Sequence, residues 1–379
     1  MSTLTKHSHQ MDKPSSGAVL EVDNLEVQFP TEDGLVRAVR GVSYSLHPGE
    51  VLGIVGESGS GKSVTSLAIM GLLPSSARVT GSVKFRGKEL LKMGDRDFSR
   101  IRGKGISMIF QDPMTSLDPV YKVGYQIAET VRQHDKNVSA KAATARAVDL
   151  LELVGIPNAK DRVTSYPHEF SGGMRQRVVI AIAMANQPDI IIADEPTTAL
   201  DVTVQAQILE VLDTAMQETG AATVLITHDL GVVAGVADRM LVMYAGRIVE
   251  SGPVDGVYYQ PRMPYTLGLL GSLPRLDQSE KQKLTPIKGS PPSMVNPPPG
   301  CPFGPRCPLH IDRCDAAEPP LTEVESGHWA ACIRNEELEG PTEATDFFDA
   351  DATDLTDPVV AEALPGTDAA SVETPADQP

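Results

Sequence analysis

The order of hydrophobic and polar positions divides the chain into segments with different periods. Near the start, short alternating runs at residues 25–29 and 36–39 are separated by Pro30 and Gly34, which is typical of antiparallel strands joined by turns. Mostly apolar runs of four or five residues follow at 51–55, 190–193 and 223–227, and a helical stretch precedes each of the last two. Buried strands that alternate with helices predict a parallel sheet.

Two other patterns complete this picture. Apolar residues recur at intervals of three and four over 123–132 and 140–154, which predicts a small helical subdomain between residues 112 and 170. Residues 240–249 indicate two strands that turn at Ala245 and Gly246. Proline content rises after Pro261, so we expect a linker or an irregular accessory domain from there.

A glycine-rich segment lies between the run at 51–55 and a helix-like segment at 64–72. In order it consists of Gly56, Glu57, Ser58, Gly59, Ser60, Gly61, Lys62 and Ser63. Such glycines allow backbone N–H groups to surround phosphate oxygens, and the following helix adds its positive N-terminal end. Lys62 would neutralise the β- and γ-phosphates and Ser63 would ligate Mg²⁺. The segment predicts a nucleoside triphosphate site, but by itself it fits kinases, motors and transporters alike.

Two carboxylates stand at the end of the apolar run 190–193. Asp194 would reach the Mg²⁺ held by Ser63, and Glu195 is the candidate general base that orients the attacking water and takes its proton. Taken alone, the pair could equally be two solvated carboxylates at a strand end.

A second phosphate-binding device is predicted at Ser171, where the sequence Ser-Gly-Gly-Met opens a helix that runs to Asn186. Two such devices rarely serve one nucleotide within one subunit, so the second should serve a nucleotide held by another subunit. An isolated Ser-Gly-Gly helix start is usually only an N-cap.

Charge and hydropathy limit the classes of partner. Thirteen of the acidic residues lie between Glu336 and Asp377, where no Lys or Arg occurs, so the rest of the chain is nearly neutral although the net charge is -17. This balance argues against a nucleic-acid enzyme, and the acidic segment is typical of a disordered tail. The sequence contains neither an apolar run of about 18 residues nor the apolar centre of a secretory signal at its start, so we expect a cytosolic or peripheral protein.

All four cysteines lie close together near the end of the chain, with five, six and seventeen residues between successive members: Cys301, Cys307, Cys314 and Cys332. In a reducing compartment this favours metal ligation over disulfides. The spacing does not match a paired zinc ribbon, and prolines follow two of the cysteines, which favours a [4Fe-4S] cluster. Tetrahedral Zn²⁺ is the second possibility and unligated thiols the third. His310 and His328 are spare candidate ligands, although a loop histidine is more often solvated.

Taken together, the motifs resemble the ATP-binding cassette (ABC) ATPases. The resemblance is carried by GESGSGKS, Gln111, FSGGMRQR, IIIADEP, the ALD at Ala199 to Asp201, and His228 in ITHD. It implies an α/β fold with a P-loop NTPase (RecA-like) parallel-sheet core, an N-terminal antiparallel subdomain, an inserted helical subdomain and a small Cys-containing C-terminal domain. The expected boundaries are a disordered segment over 1–17, a nucleotide-binding domain over 18–262 with its helical subdomain at about 113–171, an accessory domain over 263–335 and a disordered acidic tail over 336–379.

The resemblance also implies roles for individual residues. Residues 56–63 would be Walker A, Asp194 the Walker B ligand of Mg²⁺, and Glu195 the catalytic carboxylate. Gln111 would approach Mg²⁺ and the attacking water while its loop contacts the membrane subunits. His228 would contact the γ-phosphate.

Further roles concern the dimer and the base. Asp201 would cross the dimer interface, and the signature Ser171, Gly172, Gly173 and Met174 would cap the ATP of the opposite subunit. The signature departs from Leu-Ser-Gly-Gly-Gln at Phe170 and Met174, which favours a non-identical partner. Phe29 is a candidate for stacking on adenine, although an aromatic residue at a strand end more often belongs to the core.

Within the family, residues 110–124, 194–212, 265–266, 288–292 and 300–307 are similar to the oligopeptide, dipeptide and nickel importer branch. This implies uptake of di- or oligopeptides, a second ATPase subunit in a heterodimer or a homodimer, two transmembrane permease subunits and an extracytoplasmic substrate-binding protein. The chain would lie on the cytoplasmic face of the membrane and bind no nucleic acid. The alternatives are a nickel or other-solute importer and a soluble non-transport ABC ATPase. Regulation of the ATPase by the cysteine region, acting as a redox or metal sensor, is compatible with transport.

Overall fold

The protein is represented by a computed structural model, which describes residues 17–198, 200–272, 286–338 and 344–348. The strands are β1 (Leu20–Thr31), β2 (Gly34–Leu46), β3 (Val51–Val55), β4 (Arg78–Phe85), β5 (Lys88–Glu89), β6 (Ile106–Ile109), β7 (Ile190–Asp194), β8 (Ala222–Thr227), β9 (Arg239–Tyr244), β10 (Arg247–Pro253), β11 (Thr322–Glu325) and β12 (His328–Ala330). The helices are α1 (Lys62–Ile69), α2 (Asp95–Phe98), α3 (Pro113–Ser116), α4 (Val123–His134), α5 (Ala140–Leu153), α6 (Ala159–Arg162), α7 (Gly172–Met184), α8 (Val202–Thr219), α9 (Leu230–Val236), α10 (Val254–Tyr259), α11 (Pro264–Gly271), α12 (Arg313–Ala316) and α13 (Ala344–Phe348). Short 3₁₀ helices occur at Pro167–Glu169, Gly304–Arg306 and Asn335–Leu338.

The N-terminal region forms the predicted antiparallel sheet, with strand order β2-β1-β4-β5. Strands β1 and β2 meet at the turn where Thr31 pairs with Gly34. Leu25 and Val27 are buried whereas Gln28 is only partly covered, as expected for a strand with one face on the core.

The second sheet has the order β11-β12-β10-β9-β3-β8-β7-β6. Five neighbouring strands, from β9 to β6, are parallel. These strands are covered on both faces, and the five residues of β7 are all buried. The predicted α/β architecture with a parallel-sheet core is therefore confirmed.

The C-terminal part of the chain contributes strands to this same sheet. β11 and β12 form an antiparallel hairpin, and β12 pairs with β10 through Glu250 opposite Ala330 and Ser251 opposite Trp329. The sequence did not predict these strands, because four and three residues are too few to display a period. Residues well beyond Pro261 thus extend the sheet that carries the parallel core.

Helices α3 to α6 form the predicted helical region. Helix α4 packs against α5, and both contact α7. Ile127 and Leu150 are fully buried in the cluster that also covers one face of β7. None of the helices in the described ranges is long and apolar enough to cross a membrane.

The expected disordered segments at the two ends fall mostly outside the described residues. Residues 1–16, 339–343 and 349–379 lie outside the described residues. The predicted disordered tail is wrong for residues 336–338 and 344–348, which are helical. Leu338 is buried, and Phe348 lies against Gly268 of α11. Apolar side chains of this acidic segment thus pack against other parts of the chain.

Candidate functional site

The candidate site lies where four parallel strands reach their carboxyl ends. The glycine-rich loop follows β3, Gln111 follows β6, Asp194 ends β7, and His228 follows β8. Carboxyl ends of parallel strands share one edge of a sheet, which is where ligands bind in open α/β folds. The topology therefore brings together side chains that are far apart in the sequence.

Two glycines give the loop after β3 its shape. Gly56 has φ +151°, and a Cβ atom there would lie 2.2 Å from the carbonyl oxygen of Met243. Gly61 has φ +102°, and its Cβ would lie 2.5 Å from the carbonyl oxygen of Ala38. No other residue type fits either position, since both the backbone angle and the space exclude a side chain.

Lys62 begins helix α1 and folds back on the loop. Its Nζ donates to the carbonyl oxygens of Gly56 at 2.7 Å and Glu57 at 3.0 Å. Burial lowers the pKa of Lys62, while the carboxylates of Glu195, Asp194 and Glu57 act in the opposite direction. The ammonium group is therefore held inside the loop, beside the space that phosphates would occupy.

Ser63 and Asp194 form a pair of oxygen ligands. The Ser63 hydroxyl donates to Oδ1 of Asp194 at 2.9 Å. Burial raises the pKa of Asp194, and the bond from Ser63 partly offsets this. Asp194 is buried, so it is not a solvated residue at a strand end. A hydroxyl and a carboxylate are the oxygen donors that Mg²⁺ takes from P-loop proteins, and the pair fits that ion.

The Glu195 carboxylate contacts three other polar side chains at this edge of the sheet. Its Oε2 accepts from Gln111 Nε2 at 2.9 Å and from Thr198 Oγ1 at 2.8 Å, and it lies 3.5 Å from His228 Nδ1. Glu195 has φ +47°, a left-handed conformation that is uncommon outside glycine and that concentrates at functional sites. Its N–H donates to Ile226 of β8 at 2.9 Å, which fixes the strained turn. Sequence reasoning missed Thr198, which has no motif of its own.

The signature segment lies at the start of α7 and packs against α8. Ser171 is the N-cap of α7, and its Oγ accepts from the Met174 N–H at 3.4 Å. A Cβ at Gly173 would lie 2.6 Å from Val204 of α8. A Cβ at Gly172 would lie 3.7 Å from Leu200, which is an ordinary contact. These contacts are local to one chain, so the capping of a second nucleotide stays a prediction.

Two further predicted residues also have local roles here. Asp201 is the N-cap of α8 and accepts from the Val204 N–H at 3.0 Å. Ala199, named with Asp201 in the same motif, lies outside the described residues. Phe29 is partly buried and packs against the core around β1. Stacking of Phe29 on adenine stays a prediction.

Residues after Pro261 reach the glycine-rich loop, which the sequence did not indicate. The Arg306 guanidinium binds the Glu57 carboxylate through two hydrogen bonds, of 2.7 and 2.9 Å. The Tyr265 hydroxyl accepts from the Glu57 N–H at 2.8 Å. Arg306 and Tyr265 therefore hold one residue of the loop by its side chain and by its backbone.

The four cysteines line a single pocket, together with Phe303 and Leu309. Burial raises the pKa of Cys307 to about 12 and that of Cys332 to about 11. A metal would therefore have to supply the charge that stabilises their thiolates. Among the described residues, no group of three or more His, Cys, Asp or Glu side chains converges as a single metal ion requires. The [4Fe-4S] cluster and its Zn²⁺ alternative therefore both stay predictions.

The two candidate histidine ligands have other partners. His328 is not a solvated loop residue, because it lies on β12, is 3% exposed and bonds through Nε2 to Oε1 of Glu250 at 2.8 Å. Glu250 is fully buried on β10 and also accepts from the Arg262 N–H. His310 is exposed and lies 2.9 Å from Oδ1 of Asp315. The expectation of a solvated loop histidine is therefore wrong for His328.

A phosphate loop after a central parallel strand, with a Ser–Asp pair and a second carboxylate beside it, defines a P-loop nucleoside triphosphatase. Comparison with known proteins identifies the branch. The chain belongs to the ABC transporter family: a family model with that description matches residues 39–198, and a second, the oligopeptide/dipeptide transporter C-terminal region, matches residues 249–314.

Curated relatives are similar over most of this chain. The oligopeptide transport ATP-binding protein OppD of Mycobacterium tuberculosis is 59% identical over 326 residues, which are 86% of this chain and 53% of that protein. This chain thus spans about half the length of its mycobacterial relatives. The dipeptide transport ATP-binding protein DppD of Bacillus subtilis is 55% identical over 316 residues, which are 83% of this chain and 94% of that protein.

A solved structure supports the fold. The ATP-binding cassette MJ0796, in a dimeric post-hydrolysis state bound to ADP and phosphate, superposes with a TM-score of 0.56 and 26% identity. The match covers 62% of this chain and 98% of that one. The cassette fold is therefore common to both chains.

Proposed function

We propose that this protein hydrolyses ATP and that the reaction takes place at the carboxyl edge of its parallel strands. One observation carries the proposal: Glu195 is held by Gln111 and Thr198 two strands away from the glycine-rich loop, beside the Ser63–Asp194 pair. In this arrangement Lys62 would neutralise the β- and γ-phosphates, and Ser63 and Asp194 would hold Mg²⁺.

Glu195 acts as the general base. An attacking water must be oriented and must lose its proton, and a carboxylate next to the Mg²⁺ ligand can do both. Gln111 and His228 contact the same carboxylate oxygen of Glu195. They therefore orient this carboxylate, the proposed base, towards the γ-phosphate. Bound Mg²⁺ supplies charge neutralisation of the phosphates.

The active unit we propose is a dimer of two ATP-binding subunits. Helix α7 begins with Ser171 as its N-cap, and its first N–H groups are a positive helix end available to an anion. That end caps the nucleotide of the other subunit, and Asp201 lies at the same interface. Phe170 and Met174 in the signature favour a non-identical partner over a second copy.

The biological role we propose is ATP-driven uptake of dipeptides or oligopeptides. The supporting observations are the match to the oligopeptide/dipeptide C-terminal region and the peptide-transport names of the relatives in Mycobacterium and Bacillus. The subunit works on the cytoplasmic face of the membrane with two permease subunits and an extracytoplasmic binding protein. Nickel or another solute is the alternative cargo, and a soluble ATPase outside transport is the alternative class.

The domain organisation we propose keeps a nucleotide-binding domain over 18–262, with helical residues at about 113–171, and an accessory region over 263–335. The pairing of β12 with β10 attaches this accessory region to the core sheet. We further propose that its four cysteines hold a [4Fe-4S] cluster, which their shared pocket supports, with Zn²⁺ as the alternative. Visible absorbance and four irons per chain, both lost in Cys307→Ser, would support the cluster, whereas colourless protein with one zinc would overturn it.

Co-purification with the membrane partners and reconstitution into vesicles test the main proposal. ATP hydrolysis and uptake of labelled peptide should both require the binding protein and its peptide, and both should vanish in Glu195→Gln. If nickel stimulated ATP hydrolysis and peptide did not, the transported substrate would be nickel and not peptide. Failure to join any membrane subunit, with hydrolysis intact, would favour the soluble class.

A further inference from the structure

Arg306, which lies among the cysteines in the sequence, contacts the glycine-rich phosphate loop of residues 56–63. Arg306 and Glu57 are 249 positions apart in the sequence, yet their side chains form a two-point ion pair with N–O distances of 2.7 and 2.9 Å. The Arg306 side chain is 5% exposed and the Glu57 side chain 26%. A two-point pair that is this well covered from water is directional and is weakly screened by salt.

Other contacts within the chain fix the position of the Arg306 guanidinium group. Its Nε donates to the carbonyl oxygen of Lys288 at 3.1 Å, and Nη1 also donates to the Tyr244 hydroxyl at 3.2 Å. The Phe303 ring lies 5.9 Å from its centre, within cation–π range. Arg306 therefore loses little conformational freedom when it holds Glu57.

The backbone of Glu57 is held from the same side. Its N–H donates to the hydroxyl of Tyr265, a fully buried residue of α11. The Tyr265 ring packs on Tyr244 and Phe303, with ring centres 4.5 and 5.4 Å apart. One aromatic cluster thus supports both Tyr265 and Arg306. Through these two residues it holds the backbone and the side chain of Glu57.

The negative charge of Glu57 makes its contact with Arg306 relevant to nucleotide binding. Glu57 follows Gly56 directly, and its carbonyl oxygen accepts a bond from Lys62 Nζ. A carboxylate at this place without a partner would repel the phosphates that Lys62 attracts. The guanidinium cancels that charge and keeps the carboxylate turned towards the accessory region.

We propose that Arg306 is a positioning residue for ATP: by holding and neutralising Glu57, it keeps the phosphate loop in its binding shape. The inference rests on the proposed ATPase function. It also makes the cysteine-containing region part of the nucleotide site, because Arg306 is bonded directly to Cys307. Movement of the cysteine pocket would reach the loop through one peptide bond and one ion pair.

The test compares Arg306→Met and Arg306→Lys with the wild-type chain in the assembled transporter. We expect Arg306→Met to raise the KM for ATP and the Kd for a non-hydrolysable ATP analogue by about fivefold to tenfold, with kcat changed less than about twofold. Arg306→Lys should recover part of the affinity, because an ammonium restores the charge but not the two-point geometry. Arg313→Met is the matched control, since Arg313 is exposed and also precedes a cysteine.

A double-mutant cycle separates a specific pair from general damage. In a Glu57→Gln background, Arg306→Met should change the affinity by less than about twofold, because the charge to be neutralised is already gone. Equal effects in both backgrounds, or no difference between Arg306→Met and Arg313→Met, would overturn the inference. Should Arg306→Met fail to fold, the comparison of Arg306→Lys in the two backgrounds gives the same decision. A wild-type chain that does not bind ATP would instead refute the proposed function.

Discussion

The side-chain amide of Gln111 donates a 2.9 Å hydrogen bond to the carboxylate of Glu195, so the loop after β6 is joined to the end of β7. The same carboxylate oxygen lies 3.5 Å from His228 Nδ1, at the end of β8. A displacement of any one of these three strand ends would therefore change the environment of the proposed base. If Glu195 is the base, as proposed, the three loops would act on hydrolysis through one oxygen atom.

Replacing Glu195 should separate hydrolysis from binding. In Glu195→Gln the amide keeps the size of the side chain but cannot accept a proton, so we expect kcat for ATP to fall about 100-fold or more. Affinity for ATP should stay within about twofold, because Lys62 and the loop are unchanged. Glu218→Gln on the exposed side of α8 is the control. Hydrolysis at the wild-type rate in Glu195→Gln would remove this residue as the base.

The hydroxyl of Thr198 should have a smaller effect. Thr198→Val removes the 2.8 Å bond to Glu195 and leaves the volume of the side chain almost unchanged. One such bond contributes about 0.5–1.5 kcal/mol, so kcat should fall roughly twofold to tenfold with KM unchanged. Thr214→Val, whose hydroxyl donates within α8, serves for comparison. A change in KM alone would indicate that Thr198 acts on nucleotide binding and not on the base.

The glycines of the phosphate loop should differ in their tolerance of a methyl group. Gly56→Ala and Gly61→Ala place a Cβ 2.2 and 2.5 Å from backbone oxygens, which cannot retreat without moving a strand. We expect both variants to lose ATP binding, measured by titration with a fluorescent nucleotide. Gly59→Ala also has a positive φ, +80°, but its Cβ meets no atom within 4 Å. It should retain binding, with an affinity loss of about tenfold or less, which corresponds to at most about 1.4 kcal/mol.

The two histidines near the cysteines should behave differently. His328→Leu removes the side-chain partner that the structure shows for the fully buried Glu250 and leaves the bond from the Arg262 N–H, and we expect the free energy of unfolding to fall by about 3 kcal/mol. His310→Leu removes an exposed contact and should change stability by less than about 0.5 kcal/mol. Urea unfolding of the two variants makes the comparison. Loss of metal from His310→Leu would show instead that His310 is a ligand.

Local signals in the sequence predicted what depends on local chemistry. The apolar run at 190–193 predicted β7, and the carboxylates after it predicted the polar end of that strand. The spacing of glycines predicted the phosphate loop. The pairs Arg306–Glu57 and His328–Glu250 were missed, because their members are 249 and 78 positions apart. No local pattern around the arginine or the histidine indicates which residue it contacts. The hairpin of β11 and β12 was missed for a related reason, since its strands gain their partner only when β10 is in place.

The position of β12 beside β10 also bears on how the chain is made. A ribosome that has reached Pro253 has already supplied the phosphate loop, Gln111, Asp194 and His228, but the outer edge of β10 has no neighbour until Ala330 emerges. During that interval the nascent chain carries an open strand edge, the feature by which unfinished sheets join to one another. Closure of the edge by a distant segment is a non-local step and so a slow one. Aggregation during synthesis is therefore expected to respond to changes in the hairpin that leave the ATP site untouched.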